Sequence, residues 1–139
     1  MENLNNRAVI KLMISGNYVV EQLNSFMKTY DLTVQQYNIL RILRGQDGLP
    51  MNLYVLQERM IHKMSNTTRL VEKLRIKELV ERKPCEENRR KIEISITDKG
   101  LGLLAGIDQR LVDYEKQLTS DLTKEELIQL IDLLNKVKQ

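Results

Sequence analysis

Across residues 63–77 the sequence KMSNTTRLVEKLRIK sets Ser65, Arg69 and Lys73 at positions i, i+4 and i+8, with Asn66 beside them. On a helix these four side chains share one face. An arginine fork matches the O6/N7 edge of guanine, an asparagine amide matches adenine, and serine and lysine reach phosphates or bases. Met64, Thr67, Leu70, Val71 and Leu74 supply the opposite, core-facing side. A second basic group follows at Asn88-Arg89-Arg90-Lys91. The bland explanation is that both groups merely solvate a helix and a turn. Charge distribution weighs against it: residues 59–91 hold eleven Lys/Arg and five Asp/Glu, a net +6, so the rest of a chain of net +3 sums to −3. One basic third in an otherwise acidic chain is the footprint of a polyanion-binding face.

Other chemistries find little support. The single histidine, His62, and the single cysteine, Cys85, build no Ser/His/Asp or Cys/His constellation and no structural zinc site. No phosphate-cradling glycine loop or dinucleotide fingerprint is present. The reading is therefore a binding protein, not an enzyme, with no cofactor and no metal. The competing class is a helical protein-interaction module whose basic face meets an acidic partner.

Those residues need a frame to hold them. Val9, Leu12, Met13, Val19, Val20, Leu23, Phe26 and Met27 recur at helical spacing and predict one long helix over 4–30. Ile10 and Ile14 lie off that stripe. Thr33 with Gln36 forms a capping box for a second helix running to about Arg44. The turn-rich Gly45–Pro50 leads into two short helices, about 53–61 and 63–77. Ile92, Ile94 and Ile96 then alternate with polar residues, a half-buried strand that pairs back on Val80–Lys83. Thr97 caps a fifth helix, and Thr123 with Glu126 caps a last one whose stripe leaves Ile128 and Leu133 outside it.

Two short helices followed by a hairpin give the order of a winged helix-turn-helix. The fold class is mainly α with a small β-hairpin wing, the winged helix-turn-helix being carried on a helical dimerisation frame. The surplus apolar surface at Ile10, Ile14, Ile128 and Leu133 calls for a second copy of the chain. At 139 residues with one cysteine, the chain is expected to be a single domain working in a reducing cytoplasm. The acidic and amide residues of the N-terminus read against a signal peptide, and no apolar run nears the roughly 20 residues of a membrane span.

The blocks Thr68–Leu74 (TRLVEKL), Leu79–Arg82 (LVER), Asn88–Arg90 (NRR) and Ile96–Gly100 (ITDKG) resemble, at their mutual spacing, the signature of the MarR family of bacterial transcription regulators. The resemblance implies residues 1–139 as one such domain, with helical dimerisation regions at 1–30 and 101–139 around a DNA-binding lobe at 33–97. It implies a homodimeric repressor on a near-palindromic double-stranded operator, cytoplasmic and nucleoid-associated, relieved by a small lipophilic or phenolic effector. The DNA-facing set is then Ser65, Asn66, Thr68, Arg69 and Lys73 with Arg89, Arg90 and Lys91, Arg90 being first choice for the minor groove. Two positions depart from the pattern. Asn88 replaces the acidic residue that opens the wing block, and Glu78 replaces the glycine before Leu79, which predicts a reshaped exit from the recognition helix. Cys85, among Lys83, Arg89 and Arg90, is a candidate redox switch. Relatives that sense peroxide carry the reactive cysteine near the first helix, where this chain has none. Tyr18, Phe26, Met27, Tyr30 and Tyr37 are the aromatic and methionine residues offered for an effector pocket, against core packing.

Overall fold

Asn3 accepts the Asn6 amide on its side chain at 3.0 Å and so starts the first helix, α1 (Leu4–Lys28). The computed structural model describes residues 3–62 and 66–137. Asp31, in a left-handed turn (φ 56), leads out of α1. The predicted capping box is formed: Thr33 Oγ1 accepts the Gln36 amide at 3.1 Å, Gln36 Oε1 accepts that of Thr33 at 2.9 Å, and α2 (Val34–Arg44) follows. Asn24 of α1 accepts the Val34 amide at 2.8 Å, tying the start of α2 to α1.

Between the predicted break at Gly45–Pro50 and the next helix lies a strand that sequence periodicity does not show, β1 (Met51–Asn52). Two residues are too few to display alternation. Asn52 then caps α3 (Leu53–Arg59), accepting the Tyr54 amide at 2.8 Å. After α4 (Thr67–Ile76) come β2 (Val80–Pro84) and β3 (Ile92–Ile96), which form an antiparallel sheet in the order β1-β3-β2. Met51 pairs with Ile94, and Val80 with Ile96. The hairpin is as predicted; the third strand is an addition. The last helices are α5 (Asp98–Leu118) and α6 (Lys124–Asn135), the latter opened by the predicted Thr123–Glu126 box.

The chain divides into two compact units, Met1–Leu104 and Ala105–Gln139. In the first, Ile39, Leu40 and Leu43 of α2, Leu56 of α3, Val71 and Leu74 of α4, and Val80 and Ile94 of the sheet are all buried. These apolar side chains lock α4 against α2, α3 and β2. Within the same unit the first two-thirds of α1 bury nothing, Ile10 and Ile14 being 45% and 58% exposed. In the second unit α6 buries no residue, and Ile128 and Leu133 are 52% and 53% exposed. Among the described residues, no helix is long and apolar enough to cross a membrane.

Candidate nucleic-acid interface

The helix with the predicted base-reading face starts later than its sequence suggests. Periodicity placed its start at Lys63, but Asn66 has non-helical backbone angles and accepts the Arg69 amide on its side-chain oxygen at 3.1 Å. Asn66 is therefore the cap of α4, and Thr67 its first residue. Local capping decided the boundary, and capping is invisible to an apolar repeat. Its oxygen, which an adenine N6 group would need, is occupied by the backbone in this structure. Ser65, with Lys63 and Met64, lies outside the described residues.

Thr68, Arg69 and Lys73 are exposed on α4, while Thr67, Val71 and Leu74 are buried behind them. Arg69 and Lys73 thus keep the four-residue spacing of a shared face. Glu72 and Arg75 bind one another through two contacts, 2.9 Å from Arg75 Nε and 2.6 Å from its second nitrogen. That hydrogen bond, helped by the charges of Arg75 and Arg82, holds the Glu72 carboxyl below its ordinary range against the opposing effect of desolvation.

The exit of α4 keeps the backbone shape that a glycine would make easy. Glu78 sits in the left-handed region at φ 64. The reshaping expected from a non-glycine residue does not occur, because neighbouring segments hold the turn. Thr97 Oγ1 donates to the Glu78 carbonyl at 2.7 Å, and Lys99 Nζ donates to the Lys77 carbonyl at 3.0 Å. Lys77 donates to the carbonyl of Asp31 and lies 3.3 Å from its carboxylate. Gly100 fits closely there: a Cβ would stand 2.5 Å from the Leu79 carbonyl oxygen.

The wing turn is built on Asn88. Its side-chain oxygen accepts the Arg90 amide at 3.1 Å, its carbonyl accepts that of Lys91 at 2.9 Å, and Cys85 donates to the Lys91 carbonyl at 2.8 Å. The neutral amide therefore shapes the turn backbone, a role open to either Asn or Asp. Arg89, Arg90 and Lys91 are all exposed, and they divide. Arg89 lines a cleft of about 510 Å³ with Glu72, Arg75, Arg82 and Lys83, beside α4. Arg90 and Lys91 line another, of about 540 Å³, with Asn52, Tyr54 and Gln57 at the start of α3. Sequence reading missed Arg75, Arg82 and Lys83; strand alternation around Val80 was the signal that could have found Arg82. Cys85 is half-buried at the base of the turn.

The aromatic and methionine residues offered for an effector pocket are spread through the structure. Met27 is a core residue at 1% exposure, Phe26 and Tyr30 pack against each other with ring centroids 5.6 Å apart and planes tilted by 50°, and Tyr18 is exposed. A groove of about 800 Å³ opens instead among the end of α1, the start of α2 and α4. Its lining includes Lys28, Leu32, Gln36, Leu70, Lys73 and Ile76.

Comparison with known proteins matches residues 32–92 to the model of the MarR family, a span running from two residues before α2 to the first residue of β3. The chain is 28% identical over 120 residues to the HTH-type transcriptional regulator PecS of Dickeya dadantii, covering 84% of this chain and 71% of the relative. It is 30% identical over 87 residues to the HTH-type transcriptional regulator SarZ of Staphylococcus aureus, covering 63% of this chain and 57% of that relative, so the match spans little more than half of SarZ. In fold it is similar to a mutant MarR from E. coli complexed with operator DNA, with a TM-score of 0.85 at 23% identity over 99% of this chain and 100% of that one.

Proposed function

We propose that this chain, a member of the MarR family, is a transcription regulator that binds double-stranded DNA in a sequence-specific manner as a homodimer. One observation carries the reading: α4, backed by a buried apolar face, presents Arg69 and Lys73 outward, and Arg89, Arg90 and Lys91 stand exposed on the wing that follows it. A helix of this kind suits the major groove, and a basic wing reaches the adjoining backbone or minor groove. The uncovered apolar faces at Ile10 and Ile14 in one unit, and at Ile128 and Leu133 in the other, support self-association. Residues 33–97 are the proposed DNA-binding lobe, and 1–30 and 101–139 the dimerisation regions of one domain. We assign the protein no catalysis and place it in the bacterial cytoplasm, on the nucleoid, as a repressor of a near-palindromic operator. The family and both relatives named above are regulators, which favours this reading over the protein-interaction alternative.

Relief of repression by a small lipophilic or phenolic ligand is part of the same proposal. The groove along α1, α2 and α4 supports it, joining apolar Leu32, Leu70 and Ile76 to the cations Lys28 and Lys73. The deciding experiment is selection of bound fragments from random duplex DNA, followed by affinity against salt. A near-palindromic consensus with steeply salt-dependent binding is expected. Failure of any duplex to be enriched would overturn the reading.

A further inference from the structure

The wing carries a charge where its pleat calls for an apolar side chain. Arg82 pairs with Ile94 in the ladder, Val80 with Ile96 and Pro84 with Ile92. Residues directly opposite in an antiparallel pair project from the same face, and alternate residues of one strand share a face. Arg82 is thus in one row with Val80 and beside Ile94, both fully buried. An arginine so placed lays its aliphatic stem along the apolar surface and brings its guanidinium out at the rim.

The rim opens on the cleft between α4 and the wing, where Arg75, Arg82, Lys83 and Arg89 share the lining with one carboxylate, Glu72. Glu72 and Arg75 satisfy each other, so the carboxylate is already neutralised and the Arg75 fork engaged. Lys83 has Glu81 at 3.6 Å. Arg82 and Arg89 are exposed, and neither makes an ion pair within 4 Å of a carboxylate among the described residues, although the charge of Arg82 is still felt by Glu72. Two guanidiniums are thus left facing a cleft with a net positive lining, on the flank of the helix assigned to the major groove. A guanidinium fork is matched by the paired oxygens of a phosphate.

We propose that Arg82 and Arg89 together clamp one phosphodiester group of the DNA backbone between the recognition helix and the wing. The clamp rests on the DNA-binding reading above and adds a positioning site to it. It sets the seating of α4 beside the backbone and carries no base information. The Glu72–Arg75 pair keeps a bare carboxylate from facing the phosphate.

The test uses the full-length protein and its selected duplex in a salt series. Arg82→Gln and Arg89→Gln should each weaken binding about five- to tenfold, alike for all sequences, and reduce the salt slope by about one phosphate. Arg82→Lys, which keeps the charge, should retain most of the slope. Replacing single backbone phosphates with uncharged methylphosphonates should reveal one position at which wild type loses affinity and Arg82→Gln does not. If wild type binds with a steep slope but both glutamine variants keep it, the clamp is wrong and the DNA reading stands. If wild type shows no salt-dependent duplex binding, the DNA reading falls, and the clamp with it. Should Arg82→Gln fail to fold, Arg89→Gln, on the exposed turn, decides the same question.

Discussion

Replacing Glu78 with glycine should make the protein more stable, although it removes a side chain and an ion pair. At φ 64 a residue with a Cβ is in the left-handed region, at a cost of about 1–2 kcal/mol that glycine does not bear. Glycine gives back about 0.5–1 kcal/mol through the greater freedom of the unfolded chain. The lost contact is small, because Glu78 and Lys99 are 3.9 Å apart with side chains 83% and 62% exposed, and such pairs contribute about 0–1 kcal/mol. The balance favours Glu78→Gly by about 0.5 kcal/mol, which for a chain of this length raises the melting temperature by about 1–2 °C. Urea unfolding at one fixed protein concentration measures it, since a dimer's stability depends on concentration. Glu78→Ala is the control: it drops the charge, keeps the Cβ, and should gain nothing. A glycine variant less stable than the alanine variant would refute the strain argument, whereas both variants falling well below wild type would mean that contacts of the longer side chain hold this turn.

Arg69→Ala should weaken specific binding by about 1–3 kcal/mol and relax preference at one base in each half-site, read by repeating the fragment selection; an unchanged consensus and affinity would put the base-reading face elsewhere. Ile14→Glu should shift a sedimenting dimer toward monomer at micromolar concentration, and a wild-type chain that sediments as a clean monomer would rule out the interface. The Glu72 carboxyl is held below its ordinary value of 4.5, chiefly by its hydrogen bond to Arg75. A depressed folded value means a contribution present above the unfolded value and lost as pH falls through the folded one, so the unfolding midpoints of wild type and Glu72→Gln should differ at pH 7 and converge in acid, once pH has fallen below the carboxyl's ordinary value. A difference that persists at low pH would assign it to something other than the charged pair.

Much of the frame is legible in the residues themselves. Thr33-Gln36 and Thr123-Glu126 announce their helices because a capping box is local chemistry, complete within four residues. Ile92, Ile94 and Ile96 announce a strand because alternation needs only a few positions to be seen. What escaped depends on partners far along the chain. Met51–Asn52 is a strand only because Ile94 and Glu93 lie opposite it. Glu78 keeps a glycine's backbone because Thr97 and Lys99 hold the carbonyls around it. At the candidate interface, the shared face of Arg69 and Lys73 is readable from helical spacing. The separation of Arg89 from Arg90 depends on how the turn folds over Asn88, and the position of Arg82 depends on register.

The exit of α4 bears on how the DNA-reading part of the chain could have been inherited or borrowed. A ten-residue helix is too short to persist alone in water, so its order comes from what surrounds it. Its last turn is tied to Asp31, 46 positions before Lys77, and to Lys99, 22 positions after it. Gly100, packed against the Leu79 carbonyl, also lies outside the span 33–97. A lobe cut at those limits would lose these ties, together with the buried Met27 and Leu32. It would leave Lys77 without the groups that hold it, and the left-handed Glu78 tied by Thr97 alone. The reading head is therefore not a cassette: transplanting it to another protein requires carrying the end of α1 and the first turn of α5 along with it.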